Sequence, residues 1–152
     1  MTHVKSSRFT EEPFGPPMIG ALLRMPWEQV TRRMLDRVHR QGFDDLDMAH
    51  VNLFLYPGPQ GARPSELAAQ RGMSKQAVNY LLGQLERLGY LERRPDAGDG
   101  RSKRIALTER GERVIHAIRD AVREVEREWE AQLGPDRFAQ LKAMLLEIAR
   151  PA

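Results

Sequence analysis

Cysteine is absent from the 152 residues, which removes disulfide staples, thiol catalysis and thiol redox sensing together. No run of about 18 uncharged apolar residues occurs, so no membrane-spanning helix is expected. The first residues carry no apolar h-region of the kind a secretion signal needs, and the cytoplasm is the expected compartment. Internal repeats and low-complexity segments are lacking. So is any nucleophile–base pair, phosphate-cradling glycine loop or pair of acids on one helix face, and no catalytic residue is assigned. The four histidines, His3, His39, His50 and His116, show no ligand spacing, and without cysteine no metal site and no cofactor is expected. Glu112 and Asp120 lie one turn either side of His116, an arrangement typical of a solvated helix face.

The chain does contain 41% hydrophobic and 30% charged residues, the balance of a soluble, mostly helical protein. Its net charge of +3 is small, but the charge is unevenly placed. Between Arg63 and Arg104 stand nine Lys/Arg and five Asp/Glu, whereas the remainder holds 15 basic and 16 acidic residues. A basic block of this kind suits a surface that meets phosphates.

Pro13, Pro16 and Pro17 mark an irregular arm. Ile19 to Arg24 reads as a short helix that Pro26 kinks or restarts, since Met25 is pushed from the helical region. Trp27, Val30, Met34 and Val38 then recur at helical spacing until Gly42. Asp47 suits the N-cap of a second helix through about Tyr56, broken by Pro57-Gly58-Pro59. Pro64 opens a short third helix that Gly72 stops, and Ser74 caps a fourth through Leu88, ended by Gly89. Tyr90–Arg94 and Lys103–Leu107 read as two strands around a turn at Pro95–Gly100. Thr108 caps a helix from Glu109 to Leu133, about 37 Å long, with Val114, Ile118, Val122, Val125 and Trp129 in a stripe. Gly134-Pro135 starts a last helix with Phe138, Leu141, Leu145 and Ile148 on one side.

The third and fourth helices, joined by a tight glycine-containing turn, have the form of a helix-turn-helix, whose second helix enters the major groove of DNA. Wound at about 100° per residue, that helix gathers Ala77, Val78, Leu81, Leu82, Leu85 and Leu88 within an arc of about 140°. Lys75, Gln76, Asn79, Tyr80, Gly83, Gln84 and Arg87 take the other side, and the helix holds one acid, Glu86. Amides can bond adenine in pairs and Lys can donate to guanine acceptors. Gly83 leaves room for close approach of backbone to backbone. The alternative is a plain solvated face. On the hairpin cluster Arg93, Arg94, Arg101, Lys103 and Arg104. Arg101 at the tip can reach a minor groove, with Asp99 placed to hold its guanidinium. The alternative there is a hairpin kept soluble by edge charge.

Pro64-Ser-Glu-Leu-Ala, Gly72-Met-Ser-Lys-Gln-Ala-Val78, Leu85-Glu-Arg-Leu-Gly-Tyr-Leu-Glu-Arg93, Asp99-Gly-Arg101 and Leu107-Thr-Glu-Arg-Gly111 follow one another in an order that resembles the MarR family of bacterial regulators. The resemblance runs from about Leu46 to Gly111. It implies a mostly α fold with a small β-hairpin wing, a winged helix-turn-helix flanked by N- and C-terminal dimerisation helices. It also implies a homodimer on a pseudo-palindromic operator of double-stranded DNA, and small molecules bound between dimerisation helices and DNA-binding domain. Asn79-Tyr80 departs from the Ser/Thr-Arg pair often found there, which puts one phosphate contact in doubt; Tyr80 could pack on a thymine methyl.

Residues 1–45 are thus expected to form an arm and dimerisation helix, 46–108 the winged domain, and 109–152 further dimerisation helices. A helix of about 37 Å outruns a compact winged domain, so Val125 and Trp129 are expected to need a second chain to cover them. The DNA-contact residues are Ser74, Lys75, Gln76, Asn79, Tyr80, Gln84, Arg94, Asp99, Arg101 and Lys103. An aromatic or amphipathic effector is expected near Trp27, His50 and Phe54, making the protein a ligand-responsive repressor. The competing reading is a winged helix used for protein association without DNA. Gln76→Ala or Asn79→Ala should cost about 1–3 kcal/mol on the preferred DNA and relax one position in each half-site. Arg101→Ala should instead weaken specific and random DNA by similar factors and lower the salt slope by about 1 per subunit. Binding titrations across salt concentrations check both, and equal sequence discrimination in all three variants would contradict the assignment.

Overall fold

The computed structural model describes residues 15–150. The arm before residue 15, with His3 and Pro13, lies outside the described residues. Helix α1 spans Ile19–Arg40 without interruption. The helix does not restart at Pro26, which lies inside it. Proline removes one donor, which leaves the Leu22 carbonyl without its helical partner, and Leu22 is half exposed, so solvent can serve it.

Val30, Met34 and Val38 are the buried stripe of α1. They face α5, Glu109–Leu133, through its buried Val114, Ala117, Ile118, Ala121 and Val125. Arg33 meets Glu128 at 2.8 Å and Arg37 pairs with Glu124, so the two helices run antiparallel. Because α1 is continuous, it covers α5 further than expected. Val125 is only 3% exposed within one chain and Trp129 is partly buried. The expectation that these two stay bare without a second subunit is therefore corrected.

Helix α2, Met48–Phe54, is capped by Asp47, which accepts from the His50 amide at 3.1 Å. It ends short of Tyr56 because the residue before Pro57 is pushed from helical angles; Leu55 already lies at φ −66°, ψ 156°. Helix α3, Pro64–Arg71, begins with Glu66 accepting the Arg63 amide at 2.8 Å and ends at Gly72, whose φ of 61° is left-handed. Ser74 accepts from the Ala77 amide at 3.1 Å and starts α4, Lys75–Arg87. Val78, Leu81, Leu82 and Leu85 are buried as the wheel requires, whereas Leu88, past the helix end, is 37% exposed.

Strands β1, Leu91–Asp96, and β2, Asp99–Leu107, pair antiparallel, Leu91 opposite Leu107 and Asp96 opposite Asp99. The pairing is longer and the turn shorter than the sequence pattern predicts, with a register shift after Pro95. The loop before α3 adds a third edge: the Gly61 amide donates to Ile105 and the Ile105 amide to Ala62, at 2.8 and 2.9 Å. Helix α6, Pro135–Ala149, closes the described chain.

Tyr90 sits where α4, the hairpin and α5 meet and is fully buried. Phe43 and Phe54 approach its ring edgewise at 6.0 and 6.5 Å. Its hydroxyl donates to Asp45, and Arg110 lies 4.6 Å from its ring centroid. Burial, with the Asp45 bond second, pushes the phenol up to about 12. The Tyr90 carbonyl accepts from Thr108 at 3.2 Å and touches Gly111 so closely that a Cβ there would stand 2.0 Å from its oxygen. Gly111→Ala should therefore destabilise by about 3 kcal/mol. Gly83→Ala, where a Cβ meets only Arg87 at 3.6 Å, should be neutral or stabilise by up to about 1 kcal/mol. Urea midpoints decide, and equal midpoints for the two variants would contradict this packing.

Candidate nucleic-acid interface

The α4 face away from the core is polar and open. Ser74, Lys75, Gln76, Asn79 and Tyr80 are exposed, while Gln84 is half-buried. Their freedom differs. Ser74 is engaged as a cap. The Asn79 amide donates to the Lys75 carbonyl at 2.9 Å and its oxygen accepts from Arg93 at 3.2 Å. Gln84 lies between His50 and Tyr80, at 3.0 and 3.2 Å. Among the described residues, Gln76 is the one amide of the three without a side-chain hydrogen bond.

Arg93 joins wing to helix. It donates to the side chain and carbonyl of Asn79 and pairs with Glu86 at 3.4 Å. The lone acid of α4 is thereby neutralised by the strand beside it, which keeps the exposed face favourable to phosphate. Sequence reasoning had counted Arg93 only as part of the basic cluster.

The wing is organised by Asp96, a buried carboxylate that the sequence reading left inside the turn. Its Oδ2 accepts from Arg63 at 2.6 Å and its Oδ1 meets Arg104 at 3.1 Å. The Gly98 amide and the Ser102 hydroxyl donate to it as well, each at 3.3 Å. Hydrogen bonds from Arg63 and then Arg104 hold this carboxyl well below the usual carboxylate range. In the sequence it is one of three hairpin acids, with Glu92 and Asp99, among five cations. Its partner Arg63 stands 33 residues earlier, which no local pattern reveals.

Asp99 does not hold the Arg101 guanidinium as expected; it accepts the Arg101 backbone amide at 3.0 Å. An Asx-type turn shapes the backbone and leaves the guanidinium unpaired among the described residues. Arg101 belongs to β2 close to the turn, and it and Lys103 are exposed. Arg94 is exposed but bonded to Glu92 at 2.8 Å. The hairpin therefore divides its cations: Arg104, with Arg63 from the start of α3, builds it, Arg93 docks it, and Arg101 and Lys103 remain outward.

The residues expected to bind an effector separate. Trp27 and Phe54 line one cleft of about 720 Å³, together with Met34, Arg71, Ile118 and Arg119. His50 is not part of that lining. It is buried on α2, where its ring bonds the Asp47 amide and Gln84. No group of acids and histidines that could hold a metal occurs among the described residues.

A sequence profile of the MarR family matches residues 53–102, the stretch from the end of α2 to the wing. MepR of S. aureus, solved as a complex with DNA, shares 27% identity over 87% of this chain and 96% of its own, with a TM-score of 0.66. The transcriptional repressor CouR, bound to a 23-mer DNA duplex, shares 26% over 88% of this chain and 93% of that one, with a TM-score of 0.65. MarR from E. coli in its reduced form has the same fold, with a TM-score of 0.70 at 21% identity over 88% of this chain and 98% of that one.

Asp96→Asn should loosen the wing. A carboxyl lowered in the folded state adds stability above its unfolded value of about 4 and loses it as pH falls toward the folded value. The stability gap between parent and Asp96→Asn should thus be full at pH 7 and shrink below about pH 4. Urea unfolding at both pH values reads it; a gap independent of pH would rule out the ionic anchor.

Proposed function

We propose that the chain is a DNA-binding transcriptional regulator of the MarR family, acting as a homodimeric, ligand-responsive repressor on a pseudo-palindromic operator. The observation that carries the DNA side is the open, acid-neutralised face of α4, with Lys75, Gln76 and Tyr80 outward, docked through Arg93 to a wing that leaves Arg101 and Lys103 free. In this reading α4 enters the major groove and the wing reaches the minor groove or its phosphates. Gln76 reads a base edge directly, and Arg94, Asp99 and Ser74 shape the contact surface.

Support for the dimer comes from the two ends of the chain. Met18, Ile19 and Leu22 at the start of α1 and Met144, Leu146 and Ile148 on α6 are between 48% and 82% exposed. Two apolar helix faces of this kind, left bare, are unusual on a monomer. Pairing them places two winged domains side by side, as two half-sites one helical turn apart require.

The effector side rests on the Trp27–Phe54 cleft. Its volume suits a small ligand, its walls are largely apolar, and Arg71 and Arg119 supply cations. An aromatic or amphipathic anion fits that chemistry. Arg71 also donates to the carbonyls of Leu55 and Tyr56. It is the last residue of α3, one position before the Gly72 turn into α4, so a ligand that recruited it would disturb the helix-turn-helix. No described helix is long and apolar enough to cross a membrane, and a DNA target supports the reading of a cytoplasmic protein.

The purified chain should retain fragments with two related half-sites from a random DNA library. Sedimentation should give twice the 17.4 kDa chain mass, and an anionic aromatic compound should weaken operator binding in the parent but not in Arg71→Met. A well-folded monomer that retains no sequence class would sink the reading. A dimer on DNA that no small molecule affects would sink the effector alone.

A further inference from the structure

Helix α4 is linked to α2 by a chain of hydrogen bonds that runs from Asp47 through His50 and Gln84 to Tyr80. The Asp47 backbone amide, which can only donate, lies 3.2 Å from His50 Nδ1. With Nδ1 accepting that amide, as in a capping box, Nε2 carries the proton of the neutral ring, and the Gln84 oxygen that faces Nε2 fits this tautomer. His50 Nε2 lies 3.0 Å from Gln84 Oε1, so the ring donates and the amide oxygen accepts. This fixes which end of Gln84 faces the ring. Its amide nitrogen then points along α4 and donates to the Tyr80 hydroxyl oxygen at 3.2 Å. A cationic ring would keep the same Nε2–H, with Nδ1 turned to Asp47 Oδ1 at 3.0 Å. A neutral ring protonated on Nδ1 would instead donate to Asp47 Oδ1 and reverse the chain, and the placement of Gln84 with its oxygen toward Nε2 sets that tautomer aside.

The last member of the chain is the informative one. Tyr80 is 64% exposed, and its oxygen already receives a hydrogen bond from the protein side. Its own O–H proton is left to point outward. We propose that His50 is a positioning residue for DNA recognition: through Gln84 it sets the Tyr80 hydroxyl as a hydrogen-bond donor toward an acceptor on bound DNA, either a phosphate oxygen or a base-edge acceptor. This rests on the reading of α4 as the groove helix. It gives Tyr80 a polar role in place of packing on a thymine methyl, and supplies a donor where the arginine common in similar proteins is missing. It also accounts for a buried histidine, 6% exposed, that lies outside the cleft.

The test uses the full chain and the DNA fragment it retains from a random library. Tyr80→Phe should lose about tenfold in affinity per half-site, the worth of one hydrogen bond in each subunit. His50→Glu keeps an N3 side chain able to accept the Asp47 amide, but cannot donate to Gln84. The amide must then flip, Tyr80 must donate inward, and affinity should again fall about tenfold. His50→Gln keeps both the cap and a donor, and should restore most of the affinity. In the Tyr80→Phe background His50→Glu should cost nothing further. Equal costs in both backgrounds would mean that His50 serves the fold alone, and would overturn the proposal. Should His50→Glu fail to fold by circular dichroism, Gln84→Met replaces it in the same cycle.

Replacing single phosphates with neutral methylphosphonates, purine N7 with 7-deaza analogues, guanine O6 with 2-aminopurine and thymine O4 with 5-methyl-2-pyrimidinone locates the acceptor. One modification should weaken the parent and leave Tyr80→Phe unaffected, at a phosphate or at a base. If none does, or if Tyr80→Phe binds as the parent does, the donor role is wrong while the DNA-binding reading stands. If the parent retains no fragment at all, both fall.

Discussion

The approach of Gly111 to the Tyr90 carbonyl is the contact on which the arrangement of the molecule depends. It brings the start of the long helix α5 against the junction of α4 and β1 at a distance that no side chain larger than hydrogen allows. Thr108 tightens the same joint, its amide on Tyr90, its hydroxyl donating to Gly89 at 2.6 Å. With this joint closed, the direction of α5 is fixed relative to the groove helix. The ring of Tyr90 then serves as the floor on which Phe43, Phe54 and Arg110 pack. The scaffold that carries the terminal helices and the unit that meets DNA thus share one rigid hinge point instead of a linker.

Around that joint the protein uses its charges in two ways. Buried or half-buried pairs set geometry: Asp96 gathers Arg63 and Arg104 to stiffen the wing, and Glu86 with Asn79 receives Arg93. Removing one partner of such a cluster leaves the other charge uncompensated, so these residues specify shape more than they add affinity. The exposed cations Lys75, Arg101 and Lys103 remain for an external polyanion, where their contribution is governed by counterion release. The basic block is therefore smaller as a binding surface than its raw count suggests, and better ordered.

The cleft and the helix-turn-helix have walls in common. Phe54 of α2 and Arg71 of α3 line the cleft, while His50, one turn before Phe54, reaches Gln84 on α4. Helix α2 is only seven residues long, so a displacement at its cleft end has a short path to the recognition side chains.

Sequence alone was enough for the element order, because each boundary carries its own chemistry: Asp47, Ser74 and Thr108 as caps, Gly72 as a left-handed stop, Pro64 at a helix start. The buried and exposed sides of α4 also followed from the helical period. What lay beyond it were the pairings across long separations. Pro26 in an unbroken helix, Val125 covered by α1, and the loop at Gly61 joining the wing all depend on tertiary contacts that override local preference. The same holds for the side chains of the candidate site. An amide on an exposed arc looks free in a sequence, yet Asn79 and Gln84 are held by Arg93 and His50, 14 and 34 residues away. Only the folded chain decides which donors are already engaged and which are left for DNA, because a hydrogen bond is a property of a distance and an angle that composition and spacing do not contain.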